Sequence, residues 1–162
     1  MQQHEIKIYT DGSCHTQYLI GAWVAIIFIG AEKIILSAVE NTTTHNRMEL
    51  TAIIKAIECI EQRNLMQNQI SIITDSQYAI GLQAREQKFT SLNFTTKKGN
   101  DISNADLVKA FLLLTKYPFI TFVKIKAHQK QGTETNYNIE ADKVSRQLVR
   151  QAVNSYKLIS TS

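Results

Sequence analysis

Two short segments of the same kind, at 10–13 (Thr-Asp-Gly-Ser) and 74–77 (Thr-Asp-Ser-Gln), place an aspartate directly after an isoleucine-rich run. Both runs have the composition of β-strands. If the two strands are neighbours in one sheet, Asp11 and Asp75 emerge at the same edge. Adjacent carboxylates repel each other, so such a pair is costly unless a cation lies between them. Hard divalent cations prefer oxygen ligands, and their usual chemistry at such a site is at phosphate.

Two further acids lie where predicted helices begin. Glu49 is in the first turn of a helix predicted over 46–63, and Asp142 is in the first turn of a last helix predicted over 139–156. Four converging acids would hold two Mg²⁺ ions roughly 4 Å apart, one to activate a water and the other to stabilise the leaving oxygen. Mn²⁺ also suits these ligands. The four histidines are scattered and there is no Cys-x-x-Cys pair, which argues against zinc.

Each of these acids also has a purely structural explanation. Asp11 could lie in a simple turn with the glycine that follows it, and Asp75 could cap the next helix. Glu49 could close a capping box, and Asp142 could complement a helix dipole. Taken singly, these explanations compete well with a metal site. Taken together they compete less well, because a sheet with this strand order would bring all four acids near one edge.

Hydrophobic periodicity predicts the element order βββαβααβα. Short connections favour antiparallel pairing of the first three strands, and the intervening helices permit parallel crossovers to the last two. A loop is predicted over 11–20, and the polar stretch 85–104 has no clear period. Strands are predicted at 5–10, 21–29, 33–40, 69–74 and 119–126, and helices at 46–63, 76–84, 103–116 and 139–156.

Length and composition set the broad class. A chain of 162 residues fits one domain with a substantial core, here predicted over 1–156 with a frayed tail at 157–162. The net charge of +4 permits a polyanionic partner without demanding one. Two cysteines do not suggest a disulfide framework, no signal peptide is recognisable, and no apolar run is long enough for a bilayer. We therefore expect a soluble protein of a reducing, cytoplasmic compartment.

Five motifs spread along the chain, taken together, are those of one known family. They are 9–13 (Tyr-Thr-Asp-Gly-Ser), 44–50 (Thr-His-Asn-Arg-Met-Glu-Leu), 74–78 (Thr-Asp-Ser-Gln-Tyr), 126–128 (Lys-Ala-His) and 138–142 (Asn-Ile-Glu-Ala-Asp). With them the chain resembles type-1 ribonuclease H, which cuts the RNA strand of RNA–DNA hybrids. The resemblance covers roughly residues 6–148. It implies an α/β, ribonuclease H-like fold with a five-stranded mixed sheet, ordered 3-2-1-4-5, and helices on both faces.

The resemblance also implies roles for individual residues. The expected metal ligands are Asp11, Glu49, Asp75 and Asp142, and a mobile histidine that moves protons or helps product release is expected at His128. The expected contacts to the hybrid minor groove, near the 2′-hydroxyls, are Asn46 and Gln77. Phosphate contacts are expected from Thr44 and Arg47. A basic substrate-binding protrusion is expected within 85–104, with Lys88, Lys97 and Lys98, although these residues also fit an ordinary solvated surface.

The chain departs from the family pattern in several places. The loop after Ser13 reads His-Thr-Gln-Tyr, so Gln17 stands where an asparagine contact is expected. Cys14 in the same loop either contacts nucleic acid or is simply a small loop side chain. His45 stands where many members have asparagine. The segment 131–135 is the expected insertion in the region between His128 and Asp142, and the 85–104 protrusion has no tryptophan.

The function expected from the sequence is an endoribonuclease that cuts the RNA strand of RNA–DNA hybrids with two Mg²⁺ ions. It is expected to act as a monomer, with no membrane partner. Two alternatives stay open: a hybrid-binding module without catalysis, and a DNA nuclease of the same fold, such as a resolvase or an integrase-type domain. The Asn-Arg-Met-Glu block at 46–49 speaks against the second alternative.

Overall fold

A computed structural model describes residues 3–125 and 136–161. The described residues form five strands and five helices. The strands are β1 (Ile6–His15), β2 (Ile20–Ile29), β3 (Glu32–Glu40), β4 (Ile70–Thr74) and β5 (Ile120–Lys124). The helices are α1 (His45–Gln62), α2 (Gln77–Ala84), α3 (Glu86–Ser91), α4 (Ala105–Leu114) and α5 (Tyr137–Ser160).

The five strands form one mixed sheet in the order β3-β2-β1-β4-β5, as predicted. β2 pairs antiparallel with both β1 and β3, because short hairpin connections join these three strands. β4 pairs parallel with β1, and β5 pairs parallel with β4, each after a helical crossover. The parallel pairing of β1 and β4 therefore ends at one edge of the sheet, where β1 carries Asp11 and Asp75 directly follows β4.

Apolar side chains of the central strands alternate between two cores, one on each face of the sheet. Ile8 and Ile27 join the larger core, where they pack with α1. Val24 and Ile26 face the other way and pack with α5 residues. Because both faces of β2 are covered, its sequence is an almost continuous apolar run, and every residue from Ile20 to Ile27 is buried. The expected helices on both faces are confirmed.

The loop predicted over 11–20 is wrong, because β1 continues to His15. Its second half stays paired with β2, from Asp11 opposite Val24 to His15 opposite Ile20. The hairpin turn is confined to residues 16–19. Backbone pairing with a fully buried neighbour outweighs the low strand propensity of the Gly-Ser pair, which local pattern alone could not reveal. Asp11 therefore lies inside a strand, and the turn explanation for this residue is wrong.

The helices differ from the prediction in two ways: there is an additional helix, and the last helix has different ends. The stretch 85–104 contains the additional helix α3, so the order is βββαβαααβα. This helix is six residues long, too short to show a period, and is anchored by the buried ring of Phe89. α5 extends to Ser160, so the predicted helix end at Tyr156 is four residues short and most of the expected tail is helical. Its start at Tyr137 places Asp142 in the second turn rather than the first.

Two expectations from composition can be compared with the structure. Cys14 and Cys59 are both free thiols. The Cys14 Sγ donates a hydrogen bond to the Thr43 carbonyl at 3.5 Å, which links the β1–β2 hairpin to the segment before α1.

Over residues 3–125 and 136–161, no helix has the length and apolar character needed to cross a membrane.

Candidate active site

The register of the sheet brings Asp11 and Asp75 to adjacent positions. The last β1–β4 partners are Tyr9 and Ile73. Asp11 lies two residues after Tyr9, still within β1, and Asp75 lies two residues after Ile73, directly after β4. Asp75 does not cap α2, because Ser76 is the N-cap and its Oγ accepts from the Ala79 amide at 3.0 Å. The N-cap explanation for Asp75 is therefore wrong.

A close approach between β1 and α1 brings Glu49 beside Asp11. A Cβ placed on Gly12 would lie 2.5 Å from the Glu49 amide nitrogen and 2.6 Å from the Met48 carbonyl carbon. Only glycine permits this approach without displacement of one backbone. The contact therefore holds the start of α1 against the centre of the strand that carries Asp11.

The capping-box explanation for Glu49 is also wrong. α1 is capped by Thr44, whose Oγ1 accepts from the Arg47 amide at 3.3 Å. The Glu49 carboxylate instead points into the site, where Oε2 accepts a hydrogen bond from the buried Ser76 hydroxyl. Oε1 lies 2.9 Å from Nε2 of His45, one turn earlier on α1. Both oxygens of this acid are thus oriented by neighbours.

α5 supplies the fourth acid and a serine that connects it to β1. Ser145 is completely buried, and its Oγ donates to Asp11 Oδ2 at 2.5 Å. Asp142 lies one turn before Ser145, and its Oδ1 accepts from Arg146 Nε at 2.9 Å. The hydrogen bond between α5 and β1 therefore fixes the position of Asp142 relative to Asp11.

The four predicted acids line one cleft of about 380 Å³ at this edge of the sheet. The predicted groove contacts Asn46 and Gln77, at the starts of α1 and α2, line the same cleft. The other lining residues are Gly12, Ser13, His45, Tyr78 and Arg146. The tertiary structure thus gathers six predicted site residues from four separate stretches of the chain.

Electrostatics at the cleft favour a bound cation. Burial, followed by repulsion from the carboxylates of Asp75, Asp142 and Glu49, raises the pKa of Asp11 from 3.8 to about 7, although the Ser145 hydrogen bond acts in the opposite direction. Burial and Glu49 likewise raise the pKa of Asp75. The hydrogen bond to Glu49 raises the pKa of His45. Negative charge is therefore crowded at this edge, and a cation would relieve the repulsion.

The donor set fits a hard divalent cation, because all four candidate ligands are carboxylates. Within the described part of the chain, no three His, Cys, Asp or Glu side chains already form a converged metal-binding group. Three of the acids are instead held at the cleft wall by hydrogen bonds: Asp11 by Ser145, Glu49 by Ser76 and Asp142 by Arg146. The fit to a metal rests on the chemistry of the donors and on their mutual repulsion.

Several predicted substrate-binding residues lie outside the cleft lining. The Arg47 guanidinium makes two 3.0 Å hydrogen bonds to Asp106 and so faces the start of α4. Gln17 is exposed in the hairpin turn, next to the strand that carries the half-buried Cys14. Thr44 is committed to capping α1. Lys88 is exposed on α3, and Lys97 and Lys98 are exposed in a turn at 96–99. His128 and the 131–135 insertion lie outside the described residues.

Four residues near the acids were missed by the sequence prediction as members of the site. Each of them is either next to one of the four acids in sequence or one helical turn away from it. They are His45, Ser76, Ser145 and Arg146. A search at three and four residues from each predicted helical ligand would have found three of them, since such positions share a helix face. It could not have shown that Ser145 bonds to Asp11, which is 134 residues away in sequence.

We predict that Ser145→Ala weakens metal binding, and so raises the Mg²⁺ concentration that catalysis requires, without unfolding the protein. Loss of a hydrogen bond that orients a metal ligand costs about tenfold in metal affinity, so the Mg²⁺ concentration for half-maximal cleavage should rise about tenfold. The hydrogen bond also lowers the pKa of Asp11, so the acidic limb of the pH–rate profile should move to higher pH. Ser160→Ala, at an exposed serine that bonds only within its own helix, is the control. Unchanged Mg²⁺ dependence in Ser145→Ala would contradict this role.

The fold and the cleft together define an α/β protein with a carboxylate site at the carboxyl ends of its parallel strands, where open α/β sheets place their ligands. Comparison with known proteins then identifies the family. The sequence model of the RNase H family matches residues 3–150. The chain belongs to the ribonuclease H family, as its motifs suggested.

Individual relatives agree over nearly their full length. A ribonuclease H of Chlorobium phaeobacteroides (strain DSM 266) is 31% identical over 150 residues, which cover 91% of this chain and 97% of the relative. One from Chlorobium luteolum is 32% identical with the same coverage. One from Caldicellulosiruptor saccharolyticus is 31% identical over 91% of this chain and 97% of the relative.

Solved structures support the fold independently of sequence. LC9-RNase H1, described as a type 1 RNase H with the type 2 active-site motif, superposes with a TM-score of 0.76 at 17% identity, over 93% of this chain and 74% of its own. LC11-RNase H1, isolated from compost, superposes with a TM-score of 0.62 at 20% identity, over 92% of this chain and 98% of its own. At these identities the likeness concerns the fold alone.

Proposed function

We propose that this chain is an endonuclease that hydrolyses the RNA strand of RNA–DNA hybrids with two divalent metal ions, Mg²⁺ or Mn²⁺. The observation that carries the proposal is the gathering of Asp11, Glu49, Asp75 and Asp142 around one cleft in a member of the ribonuclease H family. The raised pKa of Asp11 supports it, because crowded buried carboxylates need a cation to share their charge.

Each acid has a proposed task in this reaction. The four carboxylates would hold the ions, which when bound supply an activated water and stabilise the leaving oxygen. Ser145 and Ser76 keep Asp11 and Glu49 turned toward the cleft, so these acids need little reorganisation when they bind. The scissile phosphate would lie across the mouth of the cleft, in reach of all four acids.

Selection for RNA in the cut strand is assigned to the amides at the cleft. Asn46 and Gln77 are both exposed, each is in the first turn of its helix, and both line the cleft. A side-chain amide can donate to and accept from a 2′-hydroxyl, which DNA lacks. Lys88, Lys97 and Lys98 would add contacts to the backbone of the other strand, and Thr44, Arg47, Gln17 and Cys14 remain candidate contacts at the rim. His128 remains the candidate for proton movement or product release.

The direct test is a panel of labelled substrates incubated with the protein in Mg²⁺, in Mn²⁺ and in excess EDTA. We expect internal cuts in the RNA strand of an RNA–DNA hybrid, no cuts in duplex DNA, and no activity in EDTA. Cutting of DNA would support the related DNA nuclease instead. Tight hybrid binding without products over hours would support a binding module. Either result would overturn the proposal.

We further propose that the protein acts as a monomeric single domain in the cytoplasm. The domain would extend to Ser160 rather than 156, because α5 is continuous to that residue. Light scattering during gel filtration tests the oligomeric state, and a mass of twice 18.4 kDa would contradict a monomer.

A further inference from the structure

The net charge of the chain is concentrated on one helix. From residue 143 to the carboxyl terminus the sequence has four basic residues and no aspartate or glutamate: Lys143, Arg146, Arg150 and Lys157. These four equal the whole net charge of +4, so basic and acidic residues elsewhere are equal in number. All four side chains are exposed. An asymmetry of this kind indicates a surface for a polyanion.

The four basic residues lie on one flank of α5. Their separations of three, four and seven residues repeat the helical turn, so the side chains follow one another along the helix. The buried side of α5 is a different face, formed by Ser145, Val149 and Val153 among others. At 1.5 Å per residue the flank is about 21 Å long. We call the flank formed by residues 143, 146, 150 and 157 the α5 basic flank.

The α5 basic flank is continuous with the cleft at one end. Asp142 and Arg146 both line the cleft, and Arg150 follows one turn later on the same side of the helix. Two acids lie at this end of the flank, and both are paired: Asp142 with Arg146 at 2.9 Å, and Glu140 with Lys33 at 2.9 Å. A backbone that leaves the cleft on this side therefore passes two paired acids and then follows a part of the helix that has basic residues and no acid.

The other end of the flank reaches the tip of the β1–β2 hairpin. α5 runs alongside β1, because Ser145 contacts Asp11 and Tyr156 lies against Tyr18 in the hairpin turn, with ring centroids 5.4 Å apart. The Lys157 Nζ is 5.6 Å from the centre of the Tyr18 ring. The same turn carries the exposed Gln17. The flank thus connects the cleft to a second candidate contact with nucleic acid.

We propose that the α5 basic flank binds the phosphate backbone of the hybrid outside the cleft. This inference rests on the proposed function, since the hybrid must first occupy the cleft. Phosphates recur about every 3.4 Å of axis along each strand, so a flank of about 21 Å spans roughly six nucleotides. Lysine and arginine contacts to phosphate position a duplex without reading its sequence. The flank therefore extends the footprint on long hybrids and adds no base preference.

The test is the double variant Arg150→Gln/Lys157→Gln, which leaves the two cleft-side residues of the flank unchanged. The matched control is Lys55→Gln/Arg63→Gln, which removes one lysine and one arginine from exposed positions in the second half of α1 and at its C-cap, away from the cleft. Dissociation constants and kinetics are measured on hybrids of about 8 and about 24 base pairs at several salt concentrations. Both double variants have the same net charge, so a difference in their affinity for the hybrid shows that the position of the removed charges matters.

We expect the flank variant to bind the long hybrid about three- to tenfold more weakly than the control, with KM raised and kcat unchanged. The slope of log affinity against log salt should become less steep by about 1 to 2, since each phosphate contact contributes about 0.9. Affinity for the short hybrid should not change. Equal behaviour of the two double variants on long hybrids would overturn the inference, as would equal losses on both lengths.

The equilibrium measurements separate this inference from the proposed function. If the wild-type protein binds hybrids but cuts none, the proposed activity fails while the salt slopes still test the flank. Vesicles that contain phosphatidylserine serve as a further comparison, because an anionic lipid surface is another polyanion. Loss of vesicle binding in the flank variant, with hybrid binding unchanged, would overturn the assignment to nucleic acid.

Discussion

Asp11→Asn is expected to retain the fold and to lower hybrid cleavage by about three orders of magnitude. Asp11 is at the centre of the carboxylate cluster, where it interacts with Asp75, Asp142 and Glu49. A neutral amide is a poor ligand for Mg²⁺, and metal ions contribute several kcal/mol of transition-state stabilisation, which corresponds to about 10³-fold in rate. Single-turnover cleavage of a labelled hybrid in saturating Mg²⁺ measures the loss at the chemical step.

The control for this prediction is Asp101→Asn, which makes the same chemical change at an exposed aspartate outside the cleft lining. This variant should cleave at the wild-type rate. Circular dichroism of both variants checks that the fold is retained. Cleavage by Asp11→Asn within tenfold of the wild type would exclude Asp11 as a metal ligand and would remove the basis of the two-metal proposal.

The second large effect concerns stability in the absence of metal, which should fall as the pH rises from 5 to 8. The pKa of Asp11 is about 7 in the folded protein and 3.8 in the unfolded chain. A raised carboxyl pKa means that the folded state binds the extra proton, so its contribution to stability is complete below pH 3.8 and is lost as the pH rises through 7. The full difference corresponds to at most about 4 kcal/mol.

Asp11→Asn should remove the contribution of Asp11 to this dependence, because asparagine does not titrate. In EDTA the melting temperature of the variant should exceed that of the wild type, and the gap should widen from pH 5 to pH 8 by about 5 °C or more. Adding Mg²⁺ at pH 8 should narrow the gap, because a cation bound only by the folded wild type stabilises it. The raised pKa values of Asp75 and His45 also make stability fall with rising pH, and the Asp11 carboxylate is one of the causes that raise the pKa of His45. A gap that is constant with pH, or a variant that melts below the wild type, would contradict the assigned cause.

Much of the fold could be predicted because its determinants are local. The isoleucine-rich runs predicted β1 and β4, and the change to helical spacing predicted α1, since side-chain periodicity follows directly from backbone geometry. The boundaries were less accurate where a distant partner decides them. β1 continues beyond Asp11 because β2 offers a buried backbone to pair with. α5 continues beyond Tyr156, and Tyr156 and Lys157 both contact Tyr18 in the hairpin turn.

The sequence by itself determined the family and the identity of the four acids, because a combination of motifs with these residue types is specific even when each motif alone is weak. Only the tertiary structure decided how those acids are held. The close contact at Gly12, the hydrogen bond from Ser145 to Asp11 and the run of the α5 basic flank from the cleft to the hairpin all join residues far apart in the chain. Such contacts depend on how helices pack across a sheet, and this packing is a property of the whole core rather than of any single segment.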